Sequence, residues 1–359
     1  MTGETNAALR LADLPIPAKG AMVEVAEGVF WLQMPLPMAL NHVNLWALDD
    51  GDGWCLVDTG MATGEIKGLW EVLLGGPLAG RPVNRIICTH FHPDHAGLSG
   101  WLSRRTDSAV WMSEIEWNRA RFASTLPPEE FVSGQGTLFR ENGLPSETLD
   151  RLAAKGNVFR GRVEPIVETV TPIGHGDTLL IGGRAWQVRT GSGHSPDHCC
   201  LWCEEAGMLI TGDQILPKIT PNVSVMWFGD DHDPLQQFIS SLRRFAWVPD
   251  EALALPGHRQ PFTGVRARLD ELMHHHQLRL NEALEALGDR PKSANDLLPV
   301  LFRRELDDNQ IVFALGESLA HLRFLQHQGL AERVSGPGVD RYRATGGQVT
   351  LPPATEQAA

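Results

Sequence analysis

The sequence predicts an α/β protein with a large first domain of strands and helices and a smaller, mainly helical second domain. Three observations carry this prediction. Between residues 22 and 104, short strand patterns give way to alternating strand and helix patterns. Strand patterns return between residues 166 and 255. Beyond Gly264 the apolar residues follow the spacing of long helices, which indicates a separate C-terminal module.

The composition is that of a soluble globular protein. The chain has 359 residues, of which 42% are hydrophobic and 21% charged, which is enough for two or three domains. The formal net charge of −13 argues against a surface that attracts phosphate. Because we find neither an apolar run of roughly 18–20 residues nor a signal-peptide pattern, we expect a cytoplasmic protein without a membrane contact. Five cysteines, an odd number, indicate no disulfide framework.

The first domain follows a polar, then Pro- and Ala-rich stretch, residues 1–20, which we expect to be a flexible arm. Short strands bounded by turn residues are predicted at 23–25, 28–33, 43–48 and 54–57. The turn before the last of these strands is an acidic, glycine-containing segment. A helix is predicted over 63–74, because two glycines and a proline follow it directly.

A cluster of metal-capable side chains follows the next predicted strand, 83–89. His90, His92, Asp94 and His95 lie within six residues. Since residues i and i+2 of an extended chain share a face, His90 and His92 can point at one ion. Asp94 and His95 come where the chain turns into a helix, so they can face a second point nearby. Imidazole favours zinc, iron or copper, and a carboxylate widens the choice to harder ions.

This spacing resembles the signature of the metallo-β-lactamase superfamily, His-x-His-x-Asp-His at the end of a strand. Four further motifs of that family occur here in the family's order. They centre on Asp58 in an Asp-Thr-Gly turn, His194 in a Gly-His-Ser segment, Asp213 in Thr-Gly-Asp and His258 in Pro-Gly-His. Together with the cluster, these motifs cover most of the first 260 residues.

The resemblance implies a four-layer αββα sandwich over residues 21–263 with a binuclear metal centre. By motif position, one ion is held by His90, His92 and His194 and the other by Asp94, His95 and His258, with Asp213 bridging both. We expect two divalent ions, zinc first, with iron or manganese as alternatives. Such a pair lowers the pKa of a bridging water toward neutrality. In the family's pattern Asp94 is also catalytic, because it orients the resulting hydroxide.

Asp58 is expected to support this centre without binding metal. Its place in the family's pattern implies a hydrogen bond to a ligand histidine, which would fix the tautomer of that ring. The alternative is that the aspartate only caps its own turn.

Segments beside the metal motifs are candidates for the wall of a substrate pocket. Residues 105–165 are predicted to be a helical insertion, with helices at 113–123, 127–142 and 146–155. Its aromatic side chains either face a substrate or form the insertion's own core; they are Trp117, Phe122, Phe131 and Phe139. A long loop, 215–234, carries Trp227 and Phe228, which we expect to contact the substrate.

His198 is the candidate general acid. It lies in the segment His-Ser-Pro-Asp-His that begins at His194, where it could protonate an alkoxide leaving group. The alternative is a structural role at the start of a strand, paired with Asp197. The strand that follows carries three cysteines, which we expect to be buried and structural.

The C-terminal region, 264–347, is predicted to be a winged-helix-like domain, followed by a flexible tail, 348–359. Three helices at 265–287, 293–298 and 310–328 precede two strands at 330–334 and 339–344 that flank a glycine- and proline-containing turn. This order resembles the winged-helix extension of a subset related to the lactamase-like-2 and glyoxalase-II-like proteins.

The role of this C-terminal domain stays open at this point. Because its charges are roughly balanced, nucleic acid is a disfavoured partner. A homodimer through this domain, or a cap on the active site, is supported at least as well as nucleic-acid binding. His274, His275 and His276 are expected to be structural or interface residues, since consecutive helical residues point in different directions.

The predicted activity is hydrolysis of a small thioester such as an acyl-coenzyme A. Asp213 disfavours the true β-lactamases of this fold, which lack that carboxylate, and the only tyrosine, Tyr342, lies far from the motifs, which disfavours lactonases. A thiolate with a pKa of about 8.5 leaves with little protonation. The alternatives are a metal-dependent endoribonuclease or phosphodiesterase and, in another class, a mono-iron dioxygenase.

Overall fold

A computed structural model describes residues 8–38, 40–229, 233–288, 290–334 and 338–356. Within these ranges the strands are β1 (Arg10–Leu11), β2 (Val23–Ala26), β3 (Val29–Pro35), β4 (His42–Asp50), β5 (Gly53–Val57), β6 (Val83–Ile87), β7 (Ala109–Met112), β8 (Thr171–Pro172), β9 (Thr178–Ile181), β10 (Arg184–Gly191), β11 (His198–Cys203), β12 (Met208–Gly212), β13 (Leu253–Pro256), β14 (Phe262–Thr263), β15 (Ala331–Val334) and β16 (Arg341–Ala344). The α-helices are α1 (Gly64–Gly75), α2 (Pro93–Ala96), α3 (Ser99–Thr106), α4 (Glu114–Thr125), α5 (Pro128–Glu141), α6 (Ser146–Ala153), α7 (Pro234–Arg243), α8 (Val265–Leu287), α9 (Ala294–Leu301) and α10 (Asp308–His327).

Most of the strands belong to two seven-stranded sheets. The first sheet has the order β2-β3-β4-β5-β6-β7-β8 and the second has the order β1-β14-β13-β12-β11-β10-β9. In the first sheet β5 to β8 run parallel, and in the second β12 and β13 run parallel. Every residue of β5, β11 and β12 is buried, because layers of the protein cover both faces of these strands.

Three apolar cores separate the layers. The inner core joins the two sheets and contains large side chains from both, among them Trp31, Trp46 and Trp186. A second core packs α1, α3 and α4 against the first sheet, and Trp70 is fully buried in it. A third core packs α7, α8 and α10 against the second sheet. This order of helix, sheet, sheet and helix layers confirms the αββα fold expected from the sequence.

The sheets bring the sequence motifs to one edge of the molecule. The loops after β5, β6, β12 and β13 carry Asp58, the histidine cluster, Asp213 and His258. His194 lies in the turn between β10 and β11. Since the carboxyl ends of parallel strands lie at a common edge, and the two sheets are stacked, these five segments converge.

The two ends of the described chain differ from the flexible segments that the sequence predicted. Within the predicted arm, 1–20, β1 pairs with β14, and the N–H of Ala12 donates to the carbonyl of Pro261 at 2.8 Å. Residues 1–7 lie outside the described ranges. Within the predicted tail, 348–359, Val349 is buried and its N–H donates to the Asn281 side chain at 2.9 Å. The side chains of α8 therefore hold the first part of this tail in place.

The predicted insertion, 105–165, contains a strand of the first sheet. Ala109–Met112 forms β7, which pairs in parallel with β6. The helical part is therefore confined to α4, α5 and α6, close to the three helices expected from the sequence. A 3-10 turn, Arg160–Arg162, follows them.

The C-terminal region has the element order expected from the sequence. Helices α8, α9 and α10 precede an antiparallel pair of strands, β15 and β16. Residues 335–337 of the turn between these strands lie outside the described ranges, and the winged-helix assignment stays a prediction. In the described ranges, no helix combines the length and the apolar character that crossing a membrane requires.

Candidate metal centre

Three imidazole rings converge on one point between the loops after β6 and β10. The Nε2 of His90 lies 3.0 Å from the Nδ1 of His92, and the Nε2 of His194 lies 3.1 Å from that Nδ1 and 3.3 Å from the Nε2 of His90. Ligands at about 2.0–2.1 Å in a tetrahedron around zinc would be about 3.3–3.4 Å apart. The three nitrogen atoms are therefore spaced like three corners of such a tetrahedron.

A second group of possible ligand atoms lies beside the first. The Oδ2 of Asp94 is 3.4 Å from the Nε2 of His258 and 3.8 Å from the Nε2 of His95. All three atoms lie within 4.8 Å of one another, as a shared ion requires. The residues of the sequence motifs therefore lie in two neighbouring groups of possible ligand atoms.

Asp213 lies between the two groups. Its Oδ1 is 3.5 Å from the Nε2 of His95, and its Oδ2 is 3.2 Å from the Nε2 of His258. The same Oδ2 is also 3.6 Å from the Nε2 of His194, which belongs to the first group. One carboxylate thus faces ligand atoms of both groups, which is the geometry expected of a bridge.

Two buried atoms of this cluster need a partner that the described residues do not provide. The Nε2 of His95 and the Oδ1 of Asp213 are buried and have no hydrogen-bond partner among the described residues. Buried polar atoms of this kind are rare, because leaving one unpaired costs about 1–3 kcal/mol. A cation between them would satisfy both atoms, so the donor set fits a divalent metal.

Hydrogen bonds from Asp58 and Thr89 orient two of the rings. The Nδ1–H of His95 donates to the Oδ2 of Asp58 at 2.8 Å, which directs its Nε2 at the cluster. Thr89 links Asp58 to His90, because its Oγ1 lies 2.9 Å from the Asp58 carboxylate and 3.0 Å from the Nδ1 of His90. Asp58 therefore forms the hydrogen bond to a candidate ligand histidine that the sequence predicted. Its φ of 64° lies in the left-handed region, which residues other than glycine rarely adopt.

Backbone carbonyls orient two more rings. The Nδ1–H of His194 donates to the carbonyl of Asn222, and the Nδ1–H of His258 donates to the carbonyl of His42, each at 2.8 Å. Each bond leaves the Nε2 of its ring free to face the cluster. Asn44 in turn holds the His258 loop, since its Nδ2 donates to the carbonyl of Pro256 at 2.9 Å.

Glu116 on α4 supports the cluster, and no motif in the sequence predicts it. Its fully buried carboxylate accepts the N–H of Phe91 at 2.9 Å, between the ligands His90 and His92. It also accepts the hydroxyl of Ser195 and the N–H of Asp197, both at 2.7 Å, directly after His194. Burial raises the pKa of Glu116 to about 7, against these hydrogen bonds. One side chain therefore ties together the two loops that carry the three-histidine group.

His198 is not placed as a general acid, in contrast to the sequence hypothesis. The side chain is fully buried under the cluster and does not line the described cavity. Its Nε2 accepts the N–H of Asp213 at 3.0 Å, and its ring stacks on that of His90 at 4.7 Å. Burial keeps the pKa of His198 well below its usual value. The neutral ring therefore supports the position of Asp213 and has no proton directed at a substrate.

Neighbouring carboxylates stabilise the protonated form of two histidines in the second group. Burial lowers the pKa of His258, but Asp213 and Asp94 outweigh this effect and raise it to about 9. Burial likewise lowers the pKa of His95, and Asp213, Asp58 and Asp94 raise it well above its usual value. In the metal-free protein these rings therefore carry protons at neutral pH, which a metal must displace.

Zinc binding is therefore expected to become tighter as the pH rises from 7 toward 9. The pKa of His258 in the folded protein lies above its ordinary value of 6.5, so the competing proton is present at pH 7 and is lost near pH 9. Each displaced proton strengthens apparent binding by up to about tenfold for one pH unit. Calorimetry at pH 7.5 in two buffers of different ionisation enthalpy measures the protons released. An affinity without pH dependence, and no proton release, would contradict these charge states.

An apolar cavity of about 320 Å³ opens onto both groups of ligand atoms. Trp227 and Phe228, the predicted substrate contacts, line it, as do Phe131 and Phe139 on α5. The other two aromatic candidates, Trp117 and Phe122, do not line the described cavity. Trp117 donates its Nε1–H to the carbonyl of Val167 inside the domain. Phe122 is 48% exposed. The candidates that line the cavity therefore come from α5 and from the loop after β12, and Phe91, Phe159 and Phe313 add further aromatic rings to its wall.

The cavity is poor in charge away from the cluster. Apart from the candidate ligands, Arg162 is the only charged side chain among the described residues that line it. The remaining polar side chains there are Gln135, Thr220, Asn222 and Ser224. A cavity of this kind is suited to an apolar group of a small molecule.

Comparison with known proteins decides the family. The model described as "Metallo-beta-lactamase superfamily" matches residues 39–258, more than half of the chain. The chain belongs to the metallo-beta-lactamase superfamily. A second model, described as "Metallo-beta-lactamase-like, C-terminal domain", matches residues 280–345. The motifs recognised in the sequence thus lead to the same superfamily, whose members bind divalent metals.

Several members of the metallo-beta-lactamase superfamily are similar over most of their length. A beta-lactamase domain protein from Burkholderia ambifaria is 38% identical, with a TM-score of 0.86 over 94% of this chain and 98% of that structure. The probable metallo-hydrolase YqjP of Bacillus subtilis (strain 168) is 26% identical over 323 residues, 84% of this chain and 92% of YqjP. The human acyl-coenzyme A thioesterase MBLAC2 is 23% identical over 257 residues, 67% of this chain and 82% of MBLAC2.

Proposed function

We propose that the chain is a binuclear metallohydrolase that cleaves thioesters, with an acyl-coenzyme A or a similar acyl thioester as its substrate. The observation that carries the proposal is the apolar cavity that ends at both groups of ligand atoms. Such a cavity can hold an acyl chain while its carbonyl carbon lies at the cluster. The thioesterase activity named for the human relative supports the same class of substrate.

The proposed centre uses the residues that the geometry brings together. His90, His92 and His194 would hold one ion, and Asp94, His95 and His258 the other, with Asp213 shared. When bound, two divalent ions lower the pKa of water and polarise the carbonyl oxygen. Zinc is the proposed metal, because imidazole nitrogens suit it. Asp94 lines the cavity as well as the cluster, and in this proposal its carboxylate would orient a water molecule toward the carbonyl.

The leaving group favours a thioester over a phosphodiester or an alkyl ester. A thiolate has a pKa of about 8.5 and leaves with little protonation, whereas an alkoxide needs an acid. His198, the acid that the nuclease hypothesis requires, is buried with its Nε2 accepting the Asp213 N–H. The Asp213 carboxylate and the neutral His92 ring face the cavity instead, and burial keeps the pKa of His92 at about 3. Neither group supplies a proton at neutral pH, and His258, which also lines the cavity, would lose its proton to a bound metal.

The two alternative activities have less support. An RNA backbone needs several cations, and Arg162 is the only one outside the candidate ligands among the described residues of the cavity wall. A mono-iron dioxygenase needs one group of ligands, whereas the described residues form three overlapping groups, one of which contains Asp213. Both alternatives remain part of the test.

Initial rates with zinc-loaded protein on a matched substrate panel test the proposal. The panel contains short, medium and aromatic acyl-coenzyme A thioesters, S-lactoylglutathione, an aliphatic lactone and a single-stranded RNA. We expect release of free thiol from an acyl-coenzyme A, while the RNA stays intact. Cut RNA together with intact thioesters would overturn the proposal, and so would thioester cleavage that persists after the metal is removed.

The aromatic wall should set the length of the acyl chain. Trp227 packs edge-on against Phe131, with ring centres 5.7 Å apart, and both line the cavity. Trp227→Leu should deepen the cavity, so the preference of kcat/KM for longer over shorter acyl chains should rise about tenfold, the effect typical of a changed apolar pocket. The matched control is Trp247→Leu, which removes a tryptophan that is 42% exposed and packs against Trp202. If the wild-type protein and both variants showed the same preference for acyl-chain length, the acyl chain would have to bind elsewhere.

A further inference from the structure

Helix α10 of the C-terminal region packs directly against the loop that orients His194. The N–H of Val225 donates to the carbonyl of Gly316 at 3.1 Å. The contact is close, because a Cβ on Gly316 would lie 2.9 Å from the Cβ of Ser224. The hydroxyl of Ser224 also lies 3.1 Å from the carbonyl of Phe313. The helix and the loop therefore touch through backbone as well as side-chain atoms.

A chain of hydrogen bonds leads from this helix to a candidate ligand. The Nδ1–H of His194 donates to the carbonyl of Asn222 at 2.8 Å. The side-chain amide of Asn222 in turn donates to the Oε2 of Glu317 at 3.2 Å. The amide oxygen of Asn222 lies 2.7 Å from the hydroxyl of Ser224, so both ends of that amide are held. Glu317 therefore fixes the side chain of Asn222, and the backbone carbonyl of Asn222 in turn fixes the His194 ring.

The same helix supplies part of the cavity wall. Val312 and Phe313 line the cavity together with Pro221 and Val225 of the loop. Phe313 remains 46% exposed, so its contact with the rest of the fold is limited. Helix α10 thus contributes to the site in two ways, by holding the loop and by facing the cavity.

We infer that helix α10 is an integral part of the active site and that Glu317 is a positioning residue for His194, acting through Asn222. The inference rests on the metal centre of the proposed function. A ligand histidine depends on the partner of its second ring nitrogen, which sets its tautomer and its direction. Asn222 is that partner, and Glu317 fixes the amide of Asn222. The C-terminal region is therefore needed for metal binding by the first domain.

Zinc affinity of Glu317 variants tests this role without a substrate. Competition with a chromophoric chelator gives the dissociation constant of each ion. Glu317→Ala should weaken one of the two ions about 10–100-fold, the usual effect of losing a group that orients a ligand. Glu317→Gln keeps an oxygen for the Asn222 amide and should restore wild-type affinity. The matched control is Gln326→Ala, at an exposed position of the same helix, which should leave both constants unchanged.

A second variant separates positioning from a general loss of folding. Asn222→Ala keeps the backbone carbonyl that His194 needs but removes the amide that Glu317 holds, so it should weaken the same ion. Wild-type affinity in both Glu317→Ala and Asn222→Ala would overturn the inference, and so would equal weakening in Glu317→Gln. If the wild-type protein binds two ions but cleaves no thioester, the proposed function fails while the affinities still decide the role of Glu317.

Discussion

His92→Ala is expected to abolish turnover while the protein remains folded. The substitution removes the Nδ1 that lies 3.0 Å from the Nε2 of His90 and 3.1 Å from the Nε2 of His194, so the first group loses one of its three nitrogens. The loss of kcat should be far larger than the roughly 10–100-fold effect of a residue that only orients a ligand. The bound zinc should fall from two equivalents toward one, as measured by metal analysis after gel filtration.

His274→Ala is the matched control for this prediction. His274 is an exposed histidine on α8, away from the cluster, so its loss should change neither kcat nor the zinc content. Circular dichroism should show the same helix content in both variants. Wild-type turnover by His92→Ala would mean that the reaction takes place at another site.

Glu116→Ala is expected to damage both stability and metal binding. The change leaves the buried N–H of Phe91, the partly buried N–H of Asp197 and the buried hydroxyl of Ser195 without their acceptor. Each unpaired buried group costs about 1–3 kcal/mol, so the free energy of unfolding should fall by several kcal/mol. Because Glu116 joins the loops of His92 and His194, zinc affinity should fall with it. Thermal unfolding and chelator competition measure the two effects.

Two variants on the same helix make this prediction specific. Burial raises the pKa of Glu116 to about 7, so Glu116→Gln, which is neutral and keeps one acceptor oxygen, should recover much of the lost stability. Glu114→Ala removes an exposed carboxylate two residues away and should have little effect. If Glu116→Ala were as stable as Glu114→Ala, the hydrogen bonds of Glu116 would not hold the loops.

The candidate ligands were predictable because so many metal-binding side chains rarely lie so close together outside a metal site. Three histidines and an aspartate occur within six residues after a strand, and the later motifs follow in the order of one family. The layer order then follows from the same resemblance. Asp58 was predictable for the same reason, since its turn has the family's form.

The supporting residues were not predictable, because their partners are distant in sequence and form no motif. Glu116 is bonded to residues 25 and 79 positions away, and in the sequence it looks like any charge on a helix. Glu317 meets Asn222 across 95 positions, through a contact that only the packing of α10 creates. His198 begins β11 opposite Gly191 and its ring is buried, which fits the structural alternative that the sequence left open.

The ends of the chain were misjudged for a similar reason. Composition indicated a flexible arm and tail, but long-range backbone pairing places Arg10 opposite Thr263. The tail is held by amide side chains of α8, which accept the N–H groups of Val349 and Leu351. Contacts of this kind depend on tertiary structure and leave no local pattern.

Zinc titration of the metal-free protein, with thiol release from an acyl-coenzyme A as the readout, tests the binuclear mechanism. We expect the rate to rise with added zinc and to become constant at two equivalents, since both groups of ligands and Asp213 are needed. A rate that is already constant at one equivalent would contradict the binuclear mechanism. No thiol release at any zinc content, in a protein that binds two ions, would contradict the proposed substrate class.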